Sequence, residues 1–140
     1  MRVLLFGSNG LVGSNLKKKL ENKKYDCLFS TRDTNDLFNP ELTKRNIKEF
    51  NPDVIINCAA KVGGILANDT YRTAFLLENL KINMNILESI IDLDSVKVIN
   101  LGSSCIYPLD AENPIKEDSF MTGKLEETNS PYAMAKLTAI

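Results

Sequence analysis

Val3-Leu4-Leu5-Phe6-Gly7-Ser8-Asn9-Gly10-Leu11-Val12-Gly13 is the stretch that decides the fold. Four apolar residues in unbroken succession read as a strand buried on both faces. Glycines then end it in a G-x-x-G-x-x-G spacing. Beyond them Val12, Leu16 and Leu20 recur every fourth residue, leaving Lys17, Lys18, Lys19 and Glu21 for water. That period predicts a helix over 11–21 with the three apolar residues on its buried stripe. Between a strand and a helix, such glycines have a specific use. They permit the tight turn, let backbone approach a pyrophosphate, and let the helix pack close on the strand. The helix start adds free N–H groups and the positive end of its dipole. Out of that context the same glycines would be a plain turn. Gly7, Ser8, Asn9, Gly10, Leu11, Val12 and Gly13 are therefore the candidate dinucleotide loop.

The pattern repeats outward. A second strand is expected at 25–30, and Asn39-Pro40 opens a helix with cap and first-position residues. Leu42, Ile47 and Phe50 form its stripe, and Asn51-Pro52-Asp53 stops it. A third strand is expected at 54–58, a loop with Gly63-Gly64 at 59–70, and a long helix at 72–93. The apolar face of that helix is read as Phe75, Leu76, Leu80, Met84, Leu87 and Ile91. A fourth strand, 96–101, breaks at Gly102. The 108–129 stretch lacks periodicity and is long for an idle connection. Ser130-Pro131 then predicts a helix from Tyr132. Strands alternating with helices give an α/β class, a Rossmann-like doubly wound parallel sheet in one domain over 1–140. Ligands bind such sheets beyond the carboxyl ends of the strands.

At 140 residues and 15.6 kDa the chain is one domain in size, and 44% hydrophobic residues place it among globular chains. Seventeen basic against 18 acidic residues leave no basic excess for nucleic acid or a membrane surface. The chain has no histidine, which removes Ser-His-Asp and Cys-His catalysis and His-ligated metal from its residues. Cys27, Cys58 and Cys105 form no Cys-x-x-Cys pair, so no metal site is expected. An odd, scattered set fits a reducing, cytoplasmic compartment. The apolar run after Met1-Arg2 stops at Gly7, too short for a signal peptide or a membrane span.

Three further groups carry chemistry. At the end of the second strand, Arg32 would receive the 2′-phosphate of NADP, whereas Asp33 stands where a ribose carboxylate is expected in NAD sites. NADP is the favoured reading. Tyr132 and Lys136 lie four apart on one helix face, and the ammonium is expected to draw the phenol's pKa down from about 10 toward neutrality. After the fourth strand, Leu101-Gly102-Ser103-Ser104-Cys105-Ile106-Tyr107-Pro108 offers Ser103 to hydrogen-bond a substrate carbonyl. Each motif alone has a bland reading as a turn or a surface helix pair; their order is far more specific.

Together the glycine loop, Ser103-Ser104 and Tyr132-x-x-x-Lys136 resemble the extended short-chain dehydrogenase/reductase family. Within it the strongest likeness is to the GDP-L-fucose synthases, through Ala59-Ala60-Lys61-Val62-Gly63-Gly64-Ile65, 101–108 and Asn129 to Lys136. The resemblance covers essentially the whole chain. It implies a longer protein whose remaining strands, substrate domain and epimerase histidine lie outside these 140 residues. The chain alone is accordingly expected to turn over nothing. It further implies Ser103, Tyr132 and Lys136 as the reductase triad and Cys105 as one acid/base of epimerisation. The loop 7–13 would hold the pyrophosphate, and Arg32, Asp33, Asp36 and Leu37 the adenosine end. Leu101, Gly102, Ser103, Ser104 and Lys136 would complete the NADPH contacts. A GDP-sugar substrate and a homodimer follow from the same resemblance.

Two positions depart from the family's habit: Asn9 replaces a frequent basic residue, and Phe6 a common Thr. The rival enzyme is a GDP-mannose 3,5-epimerase-like or related nucleotide-sugar epimerase/dehydratase. The rival of another class is a non-catalytic dinucleotide-binding remnant. Cys105 also fits the bland reading of a buried small hydrophobe, which is expected for Cys27 and Cys58. Asn79 would be the family's helix asparagine that orders a water near the lysine, or simply a surface amide. Lys61 is equally open between function and loop solvation.

Overall fold

Arg2–Phe6 (β1), Asp26–Ser30 (β2), Val54–Asn57 (β3) and Lys97–Asn100 (β4) are the strands of the computed structural model, which describes all 140 residues. The helices are Leu11–Glu21 (α1), Pro40–Phe50 (α2), Ile65–Thr70 (α3), Arg72–Ile90 (α4) and Ser130–Leu137 (α5). The strands form one parallel sheet in the order β2-β1-β3-β4, the expected α/β Rossmann-like arrangement. From β1 the chain goes outward to β2, then returns as β3 on the other side of β1. Strand order therefore reverses at β1 and β3, and the ligand crevice of such sheets opens beyond their carboxyl ends. Gly7 leaves one of those ends and Cys58-Ala59 the other.

The chain divides into two compact units, Met1–Ala60 with Lys81–Leu101, and Lys61–Leu80 with Gly102–Ile140. In the first, Leu4, Phe6 and Ile55 pack with Ile47 of α2 and with Ile82 and Ile86 of α4 to make the core. The opposite face of the sheet thins toward its edge. Leu5, Ile56 and Ile99 lie in register across three strands, and exposure rises from 0% at Leu5 to 51% at Ile99. β2 and β4 are the two edges of this sheet, and both carry an exposed apolar residue, Leu28 and Ile99. No helix is long and apolar enough to cross a membrane.

Local chemistry explains the helix ends. Asn39 Oδ1 accepts from Leu42 N at 3.0 Å and caps α2, while Asn51, at φ 47°, takes the left-handed turn that stops it.

Three expectations need correction. In α1, Leu16 and Leu20 are half-buried as expected, but Val12 is exposed and Gly13 alone is fully buried. A Cβ on Gly13 would lie 2.1 Å from Gly7 O. The first turn is pressed so close to the loop backbone that no side chain fits on its inner side, and Val12 is rotated outward.

In α4 the buried residues are Phe75, Asn79, Ile82, Asn83, Ile86 and Ser89, whereas Met84, Leu87 and, just past the helix end, Ile91 are exposed. Polar side chains took the inner face because their hydrogen bonds are met there, a case that apolar periodicity cannot register. Lastly, α5 starts two residues earlier than expected. Asn129 is its cap residue, and the Ser130 hydroxyl instead donates to Glu127 O at 3.0 Å.

Gly13→Ala should destabilise the chain by about 3 kcal/mol or more, because backbone must move to admit the methyl. Helix propensity alone would favour alanine by about 1 kcal/mol, so the sign is diagnostic. Gly102→Ala, whose methyl would meet nothing within 4 Å, should stay within about 0.5 kcal/mol. Urea denaturation of both variants measures the difference.

Candidate active site

In the first unit the glycine loop is built by backbone proximity. Gly7 sits at φ +72°, and a Cβ there would lie 2.7 Å from Ala59 N. Gly10 N donates to Gly7 O at 3.0 Å, closing the turn. Ser8 is buried, and both its N–H and its hydroxyl donate to Ser30 O at 3.1 and 3.0 Å. It ties the loop to the end of β2 and has no donor left for a ligand. Asn9, Gly10, Leu11 and Val12 are exposed. No side chain caps α1 and its first turn holds no acidic residue, whereas α2 has both its Asn39 cap and Glu41. An uncapped start with exposed N–H groups suits an anion.

At the adenosine end Arg32 is exposed, its guanidinium 5.3 Å from the Phe38 ring centroid, with no carboxylate partner. Asp33 is exposed beside it. Asp36 Oδ1 accepts from Phe38 N at 3.0 Å and so shapes the turn. Leu37 belongs to the core, and its carbonyl accepts from Asn85 Nδ2 at 2.7 Å, leaving its N–H as its one donor. Ser30 Oγ and Asn35 Nδ2 are buried in this region without a partner. Stranded polar atoms cost free energy unless a ligand or water meets them. Open donors, free guanidinium and orphaned atoms fit a phosphate-bearing nucleotide.

Periodicity missed an amide ladder behind the loop. Ala59 N donates to Asn57 Oδ1 at 3.0 Å, Asn57 Nδ2 to Asn100 Oδ1 at 2.8 Å, and Asn100 Nδ2 to Asn83 Oδ1 at 3.4 Å. A backbone N–H cannot reverse, so it sets the direction of the whole chain of bonds. The Ala59 nitrogen that limits Gly7 is thereby anchored through two strand ends to α4. A paired Asn at the last residues of β3 and β4 was the sequence signal available.

The second unit gathers the expected catalytic groups. Ser103 Oγ accepts from Cys105 N at 3.3 Å, capping the 3-10 turn Ser104–Ile106. The same serine lies near the Tyr132 phenol and favours its ionised form. Cys105 is half-buried and close enough to act electrostatically on that phenol. Lys136 is buried, its Nζ 5.9 Å from the Tyr132 ring centroid.

The expected direction of the Tyr132 shift is corrected here. Burial pushes the phenol above its ordinary value, the nearby Ser103 lowers it in part, and Cys105 adds to the rise. The ammonium stands over the ring and does not offset burial. Tyr132 therefore keeps its proton throughout neutral pH. Ser104 and Gly102 are exposed, and Leu101 N donates to Asn57 O at 3.3 Å.

Two residues left open in the sequence now have roles. Asn79 Nδ2 donates to Phe75 O and Lys61 O at 2.7 and 3.0 Å, and its Oδ1 accepts from Lys61 N at 2.9 Å. Its side chain pins the Lys61 backbone at both N–H and C=O and commits both its own donors. Lys61 Nζ pairs with Glu78 at 2.8 Å. Cys27 and Cys58 are half-buried, and burial pushes the Cys27 thiol up.

The NAD dependent epimerase/dehydratase family model matches residues 3–140. The chain belongs to that family. Among the curated relatives of this family member, the GDP-L-colitose synthase of Yersinia pseudotuberculosis is 38% identical over 139 residues. The GDP-L-fucose synthase of Sinorhizobium fredii is 39% identical over 139 residues. Each alignment covers 99% of this chain, which spans 45% and 44% of the two relatives respectively. A GDP-L-fucose synthetase structure from Naegleria fowleri with NADP bound superposes with a TM-score of 0.87 at 31% identity, covering 99% of this chain and 45% of that one.

Asn57→Leu keeps the volume but strands the Ala59 N–H and the Asn100 amide. At about 1–3 kcal/mol for each buried group left unpaired, destabilisation of about 2–4 kcal/mol is expected in urea unfolding. A cost below about 1 kcal/mol would show that the ladder does not anchor the loop.

Proposed function

We propose that this chain carries the cofactor-binding part of an NADPH-dependent GDP-sugar 3,5-epimerase and 4-reductase, converting GDP-4-keto-6-deoxymannose to GDP-L-fucose. One observation carries the reading: Ser103, Cys105, Tyr132 and Lys136 are gathered in one unit, around a phenol that retains its proton. Ser103 would donate to the C4 carbonyl of the keto sugar and hold it beside Tyr132. When bound, the reduced nicotinamide supplies the hydride that C4 accepts. Tyr132, protonated at neutral pH, would then give its proton to the C4 oxygen. Cys105 would exchange protons at C3 and C5 before reduction. Lys136 would hold the tyrosine's face and take up the negative charge that proton loss leaves.

The loop 7–13 would hold the pyrophosphate, Arg32 the 2′-phosphate, and Asp33, Asp36 and the Leu37 N–H the adenosine ribose. Leu101, Gly102 and Ser104 would line the rest of the dinucleotide. The NADP reading is supported by Arg32, whose guanidinium is exposed without a carboxylate partner, and by NADP in the Naegleria structure. A GDP-linked substrate is supported by the names of both curated relatives, which share GDP and differ in the sugar. On the same reading the protein is a cytoplasmic homodimer. The exposed Leu77, Met84 and Leu87 along α4 offer the second copy an apolar face.

Two experiments on the whole protein follow. NADPH should bind more tightly than NADH, and Arg32→Ala should cost NADPH about 10- to 100-fold while leaving NADH unchanged, as expected for a charge-assisted bond. Equal affinities in the unmodified protein would refute the NADP assignment.

The second experiment separates the two acid/bases. Tyr132→Phe should cut reduction by about 10²- to 10⁴-fold while deuterium exchange at C3 and C5 continues. Cys105→Ser should slow exchange while an already epimerised keto sugar is still reduced. Equal loss of both activities in both variants would mean the roles are misassigned.

A further inference from the structure

We infer that Phe75 is a positioning residue for Tyr132, held in place by Gly63 on one side and by the Lys61–Glu78 pair on the other. The inference deepens the reading above and rests on it for what Tyr132 does. All the residues concerned belong to the second compact unit. Phe75 is 3% exposed and stands in the first turns of α4. Its ring meets the Tyr132 ring at a centroid distance of 6.4 Å and an interplanar angle of 80°, an edge-on contact. That geometry is directional, so it fixes where the phenol points as well as excluding water from it.

Three neighbours fix Phe75 in turn. A Cβ on Gly63 would lie 2.9 Å from Phe75 Cζ and 3.1 Å from Ala67 Cβ. Only a residue without a side chain lets the ring sit so near that loop. On the other side Lys61 Nζ lies 5.7 Å from the ring centroid, a cation over an aromatic face. The ammonium is not free to wander, because Glu78 Oε1 holds it at 2.8 Å. The backbone carrying it is clamped at both its N–H and its C=O by the Asn79 amide. Asn79 also accepts no slack from α4, since its second donor is taken by Phe75 O at 2.7 Å. The bracket thus runs Glu78, Lys61, Phe75, Tyr132, with Gly63 and Asn79 setting its spacing.

The remaining polar and charged groups at Tyr132 are Ser103 and Cys105 from the segment after β4 and Lys136 from α5. Ser103 lies near the hydroxyl end and Phe75 meets the ring. Two neighbours at opposite ends of one side chain hold it in a single geometry, which is what proton transfer to a positioned oxygen demands.

The test reads Tyr132 directly. Tyrosines labelled with ¹³C at Cζ give one signal each from Tyr25, Tyr71, Tyr107 and Tyr132, and Tyr132→Phe identifies the relevant one. In the 140-residue chain, Phe75→Leu should lower the Tyr132 titration midpoint by about half a pH unit or more, as water reaches the ring. Gly63→Ala should shift it the same way by displacing Phe75, and should add nothing in the Phe75→Leu background. In the whole protein, Phe75→Leu should lower kcat for reduction about tenfold or more, the size of a disturbed general-acid geometry. KM for the dinucleotide should stay within about twofold, since no group that would hold phosphate is touched.

An unchanged midpoint in a folded Phe75→Leu chain would overturn the inference. So would a Gly63→Ala shift of equal size in both backgrounds. Should Phe75→Leu fail to fold, Lys61→Met decides: it keeps the stem but breaks the Glu78 pair, and an unmoved Tyr132 signal would again overturn it. A whole protein that binds no dinucleotide would refute the functional reading alone, because the titration in the 140-residue chain still reads the bracket.

Discussion

Backbone meeting backbone is the constraint on which the first unit depends. Gly13 lies against Gly7, and Gly7 against Ala59, at separations no Cβ can enter. This nesting places the start of α1 at the carboxyl end of β1 and leaves its N–H groups uncapped. Ser8 spends both its donors on Ser30, while Asn9, Gly10, Leu11 and Val12 face solvent. The cost of such proximity is that each neighbour must stay put. The ladder from Ala59 N through Asn57 and Asn100 to Asn83 meets that need with satisfied amides in place of apolar bulk.

The second unit solves a different problem, the protonation state of one phenol. A lysine four residues along a helix would ordinarily favour the phenolate. Here burial prevails, because Lys136 lies over the ring and Phe75 closes the ring's flank. A tyrosine kept protonated is suited to delivering a proton in reduction, whereas a phenolate suits the reverse direction. Arg72 and Glu126 build the platform. Arg72 donates to Glu127 O at 2.8 Å and to Ser130 Oγ at 3.2 Å. The Glu126 carboxylate accepts from Thr128 N, Thr128 Oγ1 and Asn129 N, which holds its pKa below the usual carboxylate range. The start of α5 is therefore set by charged groups before Tyr132 is reached.

Sequence alone determined what depends on neighbours along the chain. Apolar runs, glycine spacing and cap residues located four strands and four of the five helices, because turns and periods are local chemistry. The candidate glycine loop, Arg32, Ser103, Tyr132 and Lys136 were proposed from the same kind of local signal, a fixed offset from a strand end or one helix face, whereas Cys105 was singled out by family resemblance. The short α3 was hidden in the loop after β3, since Gly63-Gly64 reads as a breaker.

Tertiary structure alone decided everything that depends on what lies opposite. The inner face of α4 is polar at Asn79 and Asn83 because partners distant in sequence satisfy those amides, so its apolar periodicity pointed rightly to Phe75 but wrongly to Met84 and Leu87. Val12 faces outward because Gly7 occupies the space beneath Gly13. The direction of the Tyr132 shift follows from burial, a quantity that no spacing encodes. Phe75, four residues before Asn79 and far from Tyr132 in the chain, came to its role only through the fold, since directional ring contacts form wherever packing brings two rings together.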